Sequence, residues 1–124
     1  MAKPGTVIGW KLDRADRARL LDTLAPAYAE VVADHVTLDA DAADKPLPPP
    51  AAAMIVGRTD DRRGVEAMVV SLDGSTDRPD GSTFHITWSL GGDRRAVESN
   101  DAIRDHGWTT IDPPLAVTIE PARF

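Results

Sequence analysis

His35 and Thr37 in "HVTL" (35 to 38), and His85 and Thr87 in "HITW" (85 to 88), repeat one pattern in two strand-like runs about fifty residues apart. The chain has three histidines, and Thr is about one residue in twelve. Chance therefore puts Thr two places after two of the three histidines only about 2% of the time. Alternate side chains of a strand share a face, so each His stands beside its Thr while Val36 and Leu38, or Ile86 and Trp88, point the other way. Two imidazoles with an ordinary pKa of about 6.5 can serve as base and acid in one reaction at neutral pH. Hydrolysis of a phosphodiester has that requirement: one group takes a proton from attacking water, the other gives one to the departing oxygen. The Thr hydroxyls would donate to the nonbridging oxygens. A lone His-x-Thr is most often a matter of packing, but its duplication in matched settings favours chemistry. No spacing supplies the third ligand of a metal site, so neither metal nor cofactor is expected.

The elements that position these residues are legible from pattern. Residues 6 to 12, "TVIGWKL", read as a strand, followed by a helix over "DRADRARLLDTLA" with Asp13 as its cap and Asp16 three residues on. Leu12, Leu20, Leu21 and Leu24 offer an apolar face, and Pro26 ends the helix near Leu24 or Ala25. Residues 31 to 39, "VVADHVTLD", read as one strand carrying the first motif. "DKPLPPPA" (44 to 51) is a proline-rich loop or edge. The runs 52 to 61 and 65 to 74 make a hairpin around "DDRRG", and residues 73 to 82 form a turn-rich loop into the second motif strand, 83 to 90. "VESNDAIRDHG" predicts a short helix capped by Ser99 or Asn100 and closed by Gly107, with two strands, "WTTI" and "LAVTIEP", after it. Such an order suits an α+β fold with antiparallel sheets.

At 124 residues the chain is long enough for one domain with a substantial core, spanning residues 1 to 124. It has no Cys, no leader-like apolar segment and no apolar run of membrane length, so no membrane partner and a cytoplasmic location are expected. A net charge of −6 argues against a long nucleic-acid track, while a nucleotide or a strand end remains suitable. Lys45, Arg58, Arg62 and Arg63 are candidates for local positive charge, more simply read as solvated. Trp10 suits the core better than stacking on a base, and His106 suits a helix C-terminus.

The two motifs, together with "FHITWSLGGDRRAVESNDAI" (84 to 103), resemble the two-histidine phosphoesterases, most nearly the cyclic phosphodiesterase domains of fungal-type tRNA ligases. The resemblance implies a bilobal fold, two antiparallel sheets with outer helices and a central cleft lined by the motif strands. It implies opening of 2′,3′-cyclic phosphates to 2′-phosphates in RNA processing, with His85 nearer the water and His35 nearer the leaving 3′ oxygen. The second motif departs from those relatives in having Trp88-Ser89 in place of a small aliphatic followed by Gly-Thr.

The function expected from the sequence is thus metal-independent hydrolysis of a cyclic phosphate on a nucleotide or RNA 3′ end by a monomer, with His35 and His85 catalytic and Thr37 and Thr87 holding the phosphate. The rivals are a nucleotide-binding module without turnover, and a hydrolase of another cyclic or 3′,5′-linked small nucleotide.

Overall fold

The computed structural model describes residues 4–124. It is an α+β domain of two antiparallel sheets and two short helices. In chain order these are β1 (Ile8–Leu12), α1 (Arg14–Thr23), β2 (Glu30–Val31), β3 (His35–Asp39), β4 (Ala53–Asp60), β5 (Val65–Leu72), β6 (His85–Leu90), a 3₁₀ turn (Ala96–Glu98), α2 (Ser99–His106), β7 (Thr109–Val117) and β8 (Ile119–Arg123). One sheet has the order β3-β1-β8, the other β2-β6-β5-β4-β7. Among the described residues no helix is long and apolar enough to cross a membrane.

Asp13 caps α1 as expected, its carboxylate accepting from the Asp16 amide at 3.0 Å. The helix ends at Thr23, with Leu24 as its C-cap. Leu20 is fully buried, and Leu21 and Leu24 pack beside it. The largest apolar cluster joins Leu20 to Trp10, Leu12, Val36 and Ile119 of the three-stranded sheet and to Ile55, Met68, Val70, Ile86 and Trp88 of the five-stranded one. The two sheets therefore share one core. Trp88 is completely enclosed, and its indole N–H finds the Leu24 carbonyl at 2.8 Å, which satisfies the polar atom of an otherwise apolar contact. Trp10 is a core residue too, donating to the Pro49 carbonyl at 3.0 Å. On the other face of the larger sheet, Ile103 of α2 packs on Ala67 and Val69.

The run 31 to 39 is two strands, not one. β2 pairs with β6, and the pairing continues through Val32 and Ala33, whose amides donate to Trp88 and Thr87 carbonyls at 2.9 Å each. Ala33 then takes a left-handed φ of 40°, a conformation that costs a non-glycine residue on the order of 1 kcal/mol, and the chain crosses to pair with β1 as β3. At this transfer the Val32 and Ala33 carbonyls are taken by the Arg17 guanidinium at 3.1 and 2.9 Å. The alternation that makes residues 31 to 39 look continuous is thus interrupted by a turn that no Gly or Pro announces.

Two further differences concern the second helix. Ser99 and Asn100 lie within α2 and do not cap it; the turn before it is closed by the Arg95 amide donating to Glu98 at 2.6 Å. Gly107 closes α2 with φ 66°, as expected. Two of the four sheet edges carry prolines: Pro113 and Pro114 in β7, Pro121 in β8.

Because Arg17 serves both carbonyls at the transfer point, Arg17→Met should destabilise the fold by about 1 to 3 kcal/mol, the penalty for unpaired buried acceptors. Urea unfolding monitored through Trp fluorescence measures it, with a loss under about 0.3 kcal/mol contradicting the role given to Arg17.

Candidate active site

β3 turns Val36 into the shared core, so His35 and Thr37 face the opposite side of their sheet. β6 does the same with Ile86 and Trp88, leaving His85 and Thr87 on the face that Ala67 and Val69 share. The transfer at Ala33 keeps β3 against β6, so the strands that begin with His35 and His85 are neighbours.

Each imidazole is fixed through its Nδ1. His85 Nδ1 lies 2.8 Å from the Thr83 carbonyl. His35 Nδ1 lies 3.0 Å from Asp34 Oδ2. A carbonyl only accepts, as does an ionised carboxylate, so Nδ1 carries the proton in both rings and Nε2 is left with its lone pair in the neutral form. Asp34 is ionised well below the ordinary range: burial works against the charge, but hydrogen bonds from Lys11 and His35 and the Lys11 charge hold its pKa at about 2. Arg14 adds a second permanent cation at 3.1 Å. The His35 ring also packs on Phe124, centroids 4.3 Å apart.

Both histidines bind protons less readily than an exposed imidazole, for different reasons. Burial lowers the pKa of His35, and the Asp34 carboxylate opposes it. Burial lowers that of His85, opposed by the Thr83 carbonyl, and the Arg78 and His35 charges depress it further. Each ring thus has charges of both signs nearby: the Asp34 carboxylate bonds directly to His35 against the weaker pull of Lys11, while at His85 the Arg78 and His35 charges oppose protonation and Asp80 favours it.

The threonines are not equivalent. The Thr37 hydroxyl has no hydrogen-bond partner among the described residues and is partly exposed. Thr87 is buried, its hydroxyl 2.8 Å from Ser99 Oγ and 3.3 Å from the Ala96 carbonyl. Ser99, which the sequence presents as a helix cap, is therefore the partner of the second motif. Beside it, Asn100 Oδ1 is buried without a partner.

The cations singled out in the sequence lie elsewhere or are engaged. Arg58 pairs with the buried Glu66, Lys45 pairs with Asp39, and Arg62 and Arg63 occupy the β4–β5 turn. His106 ends α2. Arg78, which the sequence hides in a turn-rich loop, is the cation beside His85. Asp34 had a visible signal, an acid immediately before the motif His. Among the described residues no three His, Asp or Glu side chains form a metal-holding group.

Since the Thr87 hydroxyl is committed and that of Thr37 is not, Thr87→Val should cost about 1 kcal/mol of stability, whereas Thr37→Val should leave stability within about 0.5 kcal/mol. Thermal or urea unfolding of the two variants checks the contrast; equal losses would contradict it. No protein-family profile, curated protein or solved structure matches the chain.

Proposed function

We propose that the protein is a cyclic phosphodiesterase that opens a nucleoside 2′,3′-cyclic phosphate, on a free nucleotide or an RNA 3′ end, to the 2′-phosphate. The observation that carries this function is the imidazole pair itself: two rings at the starts of neighbouring strands, each with Nδ1 occupied by an acceptor and Nε2 left for a substrate. The duplicated motif and its resemblance to the two-histidine phosphoesterases supply the reaction class, including a cleft between the motif strands as the place of reaction.

In this mechanism His85 Nε2 takes a proton from water as its oxygen bonds to phosphorus. The bond from phosphorus to the 3′ oxygen breaks, and His35, acting from its imidazolium form with Asp34 as counter-ion, protonates that oxygen through Nε2–H. The product carries a 3′-hydroxyl and a 2′-phosphate. His35 is left neutral and His85 protonated, and exchange with solvent resets both. Thr37 donates to a nonbridging oxygen. Thr87 joins it only by giving up its bond to Ser99.

Incubation with 2′,3′-cyclic AMP and chromatography of the products tests the function: 2′-AMP should accumulate, and His35→Ala or His85→Ala should lower kcat by about 10² to 10⁴. An intact cyclic nucleotide, protected by bound protein, would mark a binding module instead.

The pH dependence follows from the directions of the two shifts. The active form has His85 neutral and His35 protonated, so kcat/KM rises as His85 loses its proton and falls as His35 loses its own. Both free-protein values lie below 6.5, and the maximum should lie on the acid side of that value. Asp34→Asn removes a charge that favours the His35 imidazolium, so the alkaline limb should move to lower pH. A profile whose alkaline limb is the same in Asp34→Asn as in the parent would refute the role of Asp34.

A further inference from the structure

Arg78 places a cation where charge is costly. It is 9% exposed, and burial of an ion carries a penalty of several kcal/mol unless its donors are taken up. Its partners use only part of the guanidinium. Nε donates to the Leu38 carbonyl at 3.0 Å, and Nη1 lies 3.5 Å from Asp80, whose side chain is half exposed. A guanidinium has five donors in a planar fork suited to two oxygens of one phosphate. Arg78 also lines a groove of about 430 Å³ at the C-terminal end of β3, with Leu38, Asp39, Pro79 and Asp80. Lys45, which reaches the adjoining part of that groove, is neutralised by Asp39.

Position adds a second argument. Arg78 is near enough to His85 for its charge to oppose protonation there, and Leu38, which it grips, is the next residue after Thr37. The guanidinium therefore bonds to the first motif strand, while the Arg78 amide, donating to the Ser82 carbonyl at 2.9 Å, belongs to the turn that leads into the second. The second motif meanwhile lacks a free hydroxyl, since that of Thr87 is paired with Ser99, and one side of a bound phosphate would go without a donor.

We propose that Arg78 is the phosphate ligand of this site, its guanidinium holding nonbridging oxygens of the cyclic phosphate and then of the 2′-phosphate product. The proposal rests on the function inferred above and assigns the charge that function needs to a residue outside both motifs. Asp80, weakly paired and exposed, is the counter-ion that the phosphate displaces, and the groove beyond it gives the nucleoside its way in.

Calorimetric binding of 2′-AMP and of adenosine separates the phosphate from the rest of the ligand. Arg78→Met, which keeps the apolar stem, should weaken 2′-AMP by about 30-fold or more and leave adenosine binding within about twofold, with Arg78→Lys falling between parent and Arg78→Met for 2′-AMP. Equal loss for both ligands, or undiminished 2′-AMP binding, overturns the proposal. If Arg78→Met does not fold, the parent decides: the Arg78 side-chain ¹⁵N–¹H resonances should shift on titration with 2′-AMP and stay in place with adenosine, and no shift with 2′-AMP overturns it. Absence of turnover on 2′,3′-cyclic AMP, with Arg78 still shifting on 2′-AMP, would reject the hydrolytic function and keep the anion site. Turnover by a parent whose Arg78 resonances ignore 2′-AMP would do the reverse.

Discussion

The site depends on one backbone event, the departure of the chain from β6 at Ala33. Up to that residue the segment is an edge of the five-stranded sheet; from His35 onward it is an edge of the three-stranded one. A single ribbon is thus shared between two sheets, and the histidine that begins β3 is kept beside the histidine that begins β6. The turn leaves two carbonyls without strand partners, and Arg17 reaches across from α1 to take both. The helix next to the first motif is consequently part of what sets the distance between the motifs.

Around the two rings the protein has built unlike surroundings from like motifs. Both imidazoles are anchored at Nδ1 and partly removed from water, which would make them equivalent if nothing else differed. The difference comes from the next layer. Asp34, held ionised by Lys11 and Arg14, faces His35, while Arg78 bears on His85. One symmetrical duplication is made unequal by neighbours outside the duplicated residues.

Much of this was legible in the sequence where local rules dominate. The Asp13 cap, the hairpin around residues 61 to 64, the closing Gly107 and the two-faced motif strands all follow from spacing within a few residues. Three features escaped for the same reason, that their causes are distant. Ala33 carries no mark of its left-handed conformation, because the sheet on either side and Arg17 impose it. Ser99 has the composition of a helix cap, and only the packing of α2 on the outer face of the five-stranded sheet, against Ala67 and Val69, turns its hydroxyl to Thr87. Arg78 sits in "STDRPDGS", which reads as a solvated turn, and is drawn inward by the Leu38 carbonyl forty residues earlier in the chain.

The prolines on the outer strands have a consequence for how copies of the protein meet. An exposed strand edge recruits another strand by offering a row of amides and carbonyls. Pro113 and Pro114 interrupt that row on β7, Pro121 interrupts it on β8, and β2 is only two residues long. A proline has no N–H to give, so an incoming strand finds no continuous ladder to extend. Amyloid-like stacking through these edges is thereby discouraged in the native state, and the apolar strands β4 and β5, flanked on both sides within their sheet, become available for it only after the domain has opened.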